Sequence, residues 1–349
     1  MTSGFSTSRL GDHPQPVSTR GPAAIDELEG YPDRLFSQRR AWLEFAAEIC
    51  GGEAMQIDLE HHGRSIGYLT GIRFRRVGLP IFGSPFPGWT TPYMGFNLGP
   101  GEDRRKALEI AQQIVFGELG CVHFEICDRY LKPEDGAALG FSFRMVHSYM
   151  SDLTLPEAAL FSRMTSACRR AIRKAEKSGV VIEAAEPEGF AALYYQQLLD
   201  VFAKQSLRPT YSAKRVERLI ELVHPSGDLL LLKALDPTGR CIATGIYPGF
   251  NRFSFFWGNA SLRQHQHLRP NEALHWFAMR RWKERGMRWH DWGGGGDYKA
   301  KYGGEPSAVP AFHKSRWRAI TLARSAARTL YYLPRDYRRR KYRQTVNDS

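Results

Sequence analysis

Along this chain apolar residues recur at helical spacing in some stretches and at strand spacing in others, and the two kinds alternate. Leu35, Trp42, Leu43, Phe45, Ala46 and Ile49 form a helical stripe that Gly51-Gly52 stops. Ala107 to Gly117, Phe190 to Lys204 and Glu272 to Glu284 predict further helices. Met55 to Phe74 reads as a hairpin turning near His62-Gly63, and Leu229 to Ile246 as another turning over Asp236-Pro237-Thr238-Gly239. Strands are expected over Cys121 to Ile126, Phe253 to Trp257 and Met287 to Trp292. Leu79 to Pro100 is rich in Gly, Pro and aromatic residues, and a long loop of that composition tends to be functional or to cover something.

A single long helix is expected to bridge the two groups of elements. Thr154 and Glu157 form a capping-box pair, with Pro156 in the first turn. Leu160, Met164, Cys168, Ile172 and Ala175 give one apolar face, and Arg163, Arg169, Arg170, Arg173, Lys174 and Lys177 fill the remainder. Gly179 suits a left-handed cap. Roughly 23 residues at ~1.5 Å rise make this helix about 34 Å long.

The order of elements on either side of this bridge repeats, down to single residues. Ala107-Leu108 precedes Gly120 as Ala273-Leu274 precedes Gly286, and an acid, Glu125 or Asp291, follows each glycine at the same interval. Gly63-Arg64-Ser65-Ile66-Gly67 with Thr70-Gly71-Ile72 echoes Gly239-Arg240-Cys241-Ile242-Ala243 with Thr244-Gly245-Ile246. Such paired echoes argue for a tandem duplication of one α/β unit. The chain then divides into a Ser/Thr/Pro/Gly-rich, disordered start (1–25), a first unit (26–150), the basic linking helix (151–180), a second unit (181–318) and a basic tail (319–349).

Composition sharpens this picture. The 349 residues, 42% of them hydrophobic, suffice for two domains of ordinary size. Net charge is +13, and the stretch from Lys314 to Ser349 carries eleven Lys/Arg against two Asp. An anionic partner is therefore expected for the tail: a membrane surface, RNA or an acidic substrate. The five cysteines show no CxxC pair, and His265, His267 and His275 have no acidic or Cys ligand beside them, so no metal is expected. GxSxG is absent, which argues against Ser-His-Asp catalysis. The first residues lack the apolar core of a signal peptide, and no run of about 18 apolar residues predicts a transmembrane segment. A cytoplasmic location is expected, with peripheral contact between the basic tail and an anionic inner membrane.

The chemistry concentrates in Gly286 to Glu305, GMRWHDWGGGGDYKAKYGGE. A strand that ends in glycines brings its backbone close to a ligand, because no Cβ intervenes. Tyr298, Lys299 and Lys301 stand just beyond the glycines, so aromatic surface and cationic donors are expected beside that exposed backbone. In an extended conformation Lys299 and Lys301 would share a face. Read as a plain solvated loop, the same residues would be a flexible connection carrying two surface lysines.

Two segments resemble the motifs of FemABX-type peptidyltransferases. One is Ala171-Ile172-Arg173-Lys174-Ala175-Glu176-Lys177-Ser178-Gly179-Val180. The other runs from Pro270-Asn271, Leu274 and Trp276 through Gly286 and Asp291-Trp292-Gly293-Gly294 to Tyr298-Lys299 and Gly303-Gly304. The resemblance covers about residues 30 to 315, and the second unit carries the specific motifs. It implies two tandem GNAT-like domains, each a mixed twisted sheet flanked by helices, and it implies N-acylation. No permanently bound cofactor is implied; the co-substrate is an acyl donor, aminoacyl-tRNA or acyl-CoA, and the partner an amine on a cell-envelope or polysaccharide precursor.

The resemblance places Lys299 at the oxyanion, with Lys301 as competitor, and lets Asp291 orient an amine, accept its proton or cap the glycine turn. Arg208, Tyr211 and Trp257, with Tyr298, are the substrate-binding expectations. One departure bears on the donor. CoA-dependent GNAT proteins hold pyrophosphate on a glycine-containing loop at a helix N-terminus; the corresponding RQHQHLRP, Arg263 to Pro270, has no glycine. A carrier recognised differently, such as tRNA, is favoured over CoA. The alternatives are a CoA-dependent N-acetyltransferase of exopolysaccharide synthesis and a non-catalytic GNAT-like scaffold binding envelope components or RNA.

Overall fold

The computed structural model describes residues 19–20, 30–203, 207–294, 296–326 and 329. Apart from Thr19–Arg20, the expected disordered start lies outside the described residues, as does most of the basic tail. In chain order the first half contains β1 (Thr19–Arg20), α1 (Arg40–Cys50), β2 (Glu53–His61), β3 (Arg64–Arg76), β4 (Leu79–Ser84), β5 (Gly95–Leu98), α2 (Arg104–Gln113), β6 (His123–Ile126), α3 (Pro133–Ala137) and β7 (Ser142–Asp152). Two helices follow, α4 (Glu157–Arg163) and α5 (Ser166–Lys177). The second half contains β8 (Val181–Ala184), α6 (Phe190–Ala203), α7 (Ala213–Val223), β9 (Leu229–Leu235), β10 (Cys241–Phe250), β11 (Phe253–Phe255), β12 (Gly258–Ser261), α8 (Pro270–Glu284), β13 (Trp289–Asp291) and β14 (Glu305–Ser315). Among the described residues no helix is long and apolar enough to cross a membrane.

Local chemistry accounts for most boundaries. The helical stripe of α1 buries Trp42, Leu43, Phe45 and Ala46, and Gly51 ends it at φ 64°. The β2–β3 hairpin turns on His62 and Gly63, both at positive φ. Asp236 closes the β9–β10 turn by accepting from the backbone N–H groups of Thr238 and Arg240.

The expected single linking helix is two helices. Met164 and Thr165 are extended, and the Thr165 hydroxyl caps α5 by accepting from the Cys168 N–H at 3.2 Å. Arg169 closes the end of α4 by donating to the Ser162 and Met164 carbonyls. The expected Thr154–Glu157 capping box does not form; Thr154 bonds to Asp152, and Pro156 precedes α4 with no side-chain cap. The apolar face survives the break, since Leu160, Met164, Cys168, Ile172 and Ala175 are all buried.

The two halves share one sheet, in the order β1-β2-β3-β4-β6-β14-β7-β13-β11-β10-β9-β8. Each half lends its last strand to the other. β6 lies parallel to β4 of its own half but takes β14 on its far side; β13 lies parallel to β11 but takes β7. β7 and β14 meet antiparallel at the centre, with Val146 opposite Val309. Pro306 and Pro310 of β14 pair with β7 in a stretch that β6, joined only from Phe312 onward, does not reach. Proline is tolerated there because β14 has a neighbour on one side only.

Packing follows the exchange. Phe312 of β14 enters the first half's core beside Phe141 and Phe143, and a Cβ on Gly136 would fall 2.1 Å from its ring. A second core joins Phe36 and Trp42 of the first half to Val216, Leu219, Phe253 and Phe255 of the second. The proposed division into units 26–150 and 181–318 is thus crossed by strands and by core. Phe312→Ala should cost about 3–5 kcal/mol, and amides of β2–β3 and β9–β10 should lose hydrogen-exchange protection in one event. Separate unfolding of the two hairpins would contradict the exchanged core.

Candidate active site

β13 carries the chain from α8 into the middle of the sheet and ends at Asp291, beyond which the backbone turns at Gly293 with φ 69°. A Cβ there would also press on the Phe255 ring at 3.0 Å and the Phe256 carbonyl oxygen at 3.4 Å. Only glycine lets the turn run this close to the end of β11. Trp292 anchors it, fully buried, stacked on Tyr302 at 4.3 Å and donating its indole N–H to Ser151 at 2.9 Å. Gly295, the third glycine of the block, lies outside the described residues.

Asp291 has no exposed surface. Its Oδ2 accepts from the Tyr93 hydroxyl at 2.8 Å, and its Oδ1 accepts from the Gly293 N–H at 2.7 Å and from the Ser148 hydroxyl. Burial, then the Asp291 charge, push the Tyr93 phenol far above its ordinary range, which keeps it a donor. Three protein donors enclose the carboxylate, and the bond from the Gly293 N–H is the cap on the glycine turn that was one of the expectations for Asp291. Tyr93 and Ser148 come from the first half and were not anticipated. Tyr93 sits in the Gly/Pro/aromatic loop expected to cover something; no sequence signal marked Ser148.

The segment Asp297–Tyr302 is a 3₁₀ turn, not the extended run expected, so its two lysines diverge. Lys299 points inward, 8% exposed, and its Nζ donates to the carbonyls of Trp292 at 2.6 Å, Gly293 at 3.1 Å and Gly294 at 3.0 Å. Nζ also lies 5.1 Å from the centre of the Phe256 ring. Burial brings its pKa down to about 8, against the upward pull of Asp291. Lys301 turns away and pairs with Glu272 at 2.7 Å, so it is removed from the turn. Tyr298 is 58% exposed beside Gly296.

Past β11 the sheet opens. The Phe256 N–H still bonds to the Asp291 carbonyl at 2.8 Å, whereas the Trp257 N–H bonds to Ile246, and β12 continues along β10. Trp257 therefore sits where the two strands part. Its ring lies 5.0 Å from that of Tyr211, and its buried indole N–H has no acceptor among the described residues. Tyr211 bonds to the Tyr194 hydroxyl at 2.7 Å, and burial raises its pKa to about 12. Arg208 is exposed, three residues ahead of Tyr211. The structure thus joins Asp291 with Lys299 and Tyr211 with Trp257, and leaves Arg208 and Lys301 outside both pairs.

The segment that corresponds to a CoA pyrophosphate loop is wound into a 3₁₀ turn, Arg263–Leu268. The Arg263 N–H is taken by the Asp200 carboxylate at 2.8 Å, and the His265 and Arg269 N–H groups bond within the turn. Pro270 removes one more donor at the first position of α8. Here, then, a carboxylate stands at the start of the turn, two N–H groups are bonded within it and the residue that follows has none. His265 and His267 lie on this turn, and His275 is buried against the Tyr247 hydroxyl.

Comparisons with known proteins agree with this architecture. The family model of the acetyltransferase (GNAT) domain matches residues 162–302. No curated protein matches the chain by sequence. The crystal structure of FemX is similar at TM-score 0.71 and 14% identity, over 88% of this chain and 99% of that one. A tandem GNAT protein from the clavulanic acid biosynthesis pathway is similar at TM-score 0.50 and 12% identity, over 86% and 98%. The C-terminal domain of a protein assigned as a lysylphosphatidylglycerol synthetase, from Agrobacterium fabrum, gives 0.55 and 11%, over 88% and 96%. Tyr93→Phe removes a donor from a buried carboxylate and should destabilise the protein by about 1.5–3 kcal/mol, measured by urea unfolding. An unchanged midpoint would mean that Asp291 does not depend on the Tyr93 hydroxyl.

Proposed function

From its FemABX-like tandem-GNAT fold, with a GNAT acetyltransferase domain over residues 162–302, we propose that this chain is an amide-forming N-acyltransferase whose reaction runs at the glycine turn after β13. The amine acceptor belongs to a cell-envelope or related small-molecule precursor. The acyl donor is a co-substrate, and the closed Arg263–Leu268 turn favours a carrier other than CoA.

In the proposed reaction the amine nitrogen attacks the activated carbonyl carbon, forming the C–N bond and placing negative charge on the carbonyl oxygen. Collapse of this tetrahedral species breaks the bond to the carrier, and the leaving oxygen or sulfur takes up the proton lost by nitrogen. The observation that carries the reading is the Lys299 ammonium, buried over Phe256 at the point where β11 and β13 separate. Of its three bonds, the one to the Gly294 carbonyl is the most accessible, since Gly294 is exposed. Moving that N–H onto the developing oxyanion stabilises the transition state while the other two bonds hold the ammonium in place. Asp291, with Tyr93 and Ser148, positions the turn. Trp257 and Tyr211 line the acceptor side, where the indole N–H offers a donor to the ligand; Tyr298 and Arg208 contribute exposed contacts.

The match to the GNAT acetyltransferase domain favours a second reading, transfer from acyl-CoA. A thermal shift with CoA and acetyl-CoA separates the two: no stabilisation is expected, and a clear rise in Tm supports the second reading. The pH dependence tests the lysine. It is charged below about pH 8 and neutral above, so kcat/KM for amide formation from an aminoacyl-tRNA or acyl-CoA should fall as pH rises through that value. Lys299→Met should lower kcat about 10²–10³-fold and abolish the alkaline limb. Full turnover by this variant would remove Lys299 from the mechanism.

A further inference from the structure

The helix that follows β14, residues 318–326, is amphipathic the wrong way round. Its inner side carries Ile320, Thr321 and Arg324, which are partly buried, whereas Ala319, Leu322, Ala323 and Ala326 are exposed. These four recur at the spacing of one helical face, and an apolar face is normally turned toward a core. Leu322 is 70% exposed, and Trp317, just ahead of the helix, 54%.

What fixes the orientation is polar. Arg324 donates from Nε to Glu125 at 2.7 Å, with both side chains largely buried. Glu125 is the penultimate residue of β6, and it also meets His123 at 3.0 Å. The Arg316 N–H bonds to the Val122 carbonyl at 2.9 Å, which ties down the approach to the helix. The apolar face is therefore presented outward by a fixed ion pair. Arg316 and Arg318 border it, both exposed, beside a cavity of about 220 Å³ that Lys314 and Thr321 also line.

We propose that the face of Ala319, Leu322, Ala323 and Ala326, with Trp317, docks on an anionic lipid bilayer. The inference rests on the envelope-precursor reading above for its biological setting, and gives that reading a surface. Charge complementarity selects the occupant. From Lys314 to Ser349 the chain carries eleven Lys/Arg against two Asp, so an anionic headgroup layer is attracted to this region. A second copy of the chain would bring two strongly cationic segments together. Tryptophan and leucine beside arginines match the composition of segments that lie in the membrane interface.

The test is co-sedimentation of the full chain with phosphatidylcholine vesicles and with vesicles containing about 30% phosphatidylglycerol. Binding at least tenfold tighter to the anionic vesicles is expected, weakened by salt. Leu322→Glu and Trp317→Ala should each lower that affinity severalfold with an unchanged Tm, because both side chains are mostly exposed. Equal binding to the two vesicle types, or binding untouched by either variant, would overturn the proposal. So would a dimer that Leu322→Glu makes monomeric. No substrate enters the assay: an inactive protein that still binds anionic vesicles refutes the acyltransferase reading alone, and an active one that ignores them refutes the docking surface alone.

Discussion

A carboxylate and an ammonium, both buried, are bound to the same glycine turn. Taking either charge out of water costs several kcal/mol unless its hydrogen-bonding capacity is met inside the protein. Asp291 receives three donors, and Lys299 donates to three carbonyls, so each charge is satisfied by fixed groups. The turn is consequently held by both charges. Gly293 supplies its N–H to the acid and its carbonyl to the base, an arrangement that needs the left-handed backbone only glycine adopts without cost. A group that stabilises transient negative charge must be in place before that charge appears. A doubly anchored turn holding a buried ammonium meets this condition.

The anchoring depends on a fold in which neither half is complete. Because β7 crosses to pair with β13, Ser148 lies beside Asp291; because the β4–β5 connection packs on the second half, Tyr93 reaches the same carboxylate. The pseudo-equivalent strand end in the first half kept an acid, Glu125, but closed over it with Arg324. The acids near the ends of β13 and β6 thus have different surroundings. One faces the opening between β11 and β13, and the other fastens a helix.

Elements set by local chemistry were legible in the sequence. The α1 stripe, the hairpin turns at His62-Gly63 and Asp236 to Gly239, and the buried face of α4 and α5 all followed from spacing and turn residues. The break at Met164-Thr165 was not, because apolar periodicity runs through both helices and hides the Thr165 cap. β7 and β14 escaped notice for another reason: the ends of each are exposed or half-exposed on both faces, and prolines interrupt the second. α7 has a regular stripe, Val216, Leu219, Ile220 and Val223, that marks a helix in the sequence as plainly as that of α1. At the site, the glycine block pointed to Lys299. The 3₁₀ winding that separates it from Lys301 depends on packing, and Tyr93 is 198 residues from the acid it serves, beyond any local pattern.

The protonation state of Lys299 carries the account, and nitrogen-15 NMR of the lysine side chains reads it directly. In the intact protein one ammonium should titrate near pH 8, with protons protected from exchange by three backbone carbonyls, and its resonance should move when an acyl donor binds. A Lys299 resonance that titrates like a solvent-exposed lysine and exchanges freely would contradict the buried, pre-placed cation on which the proposed chemistry depends.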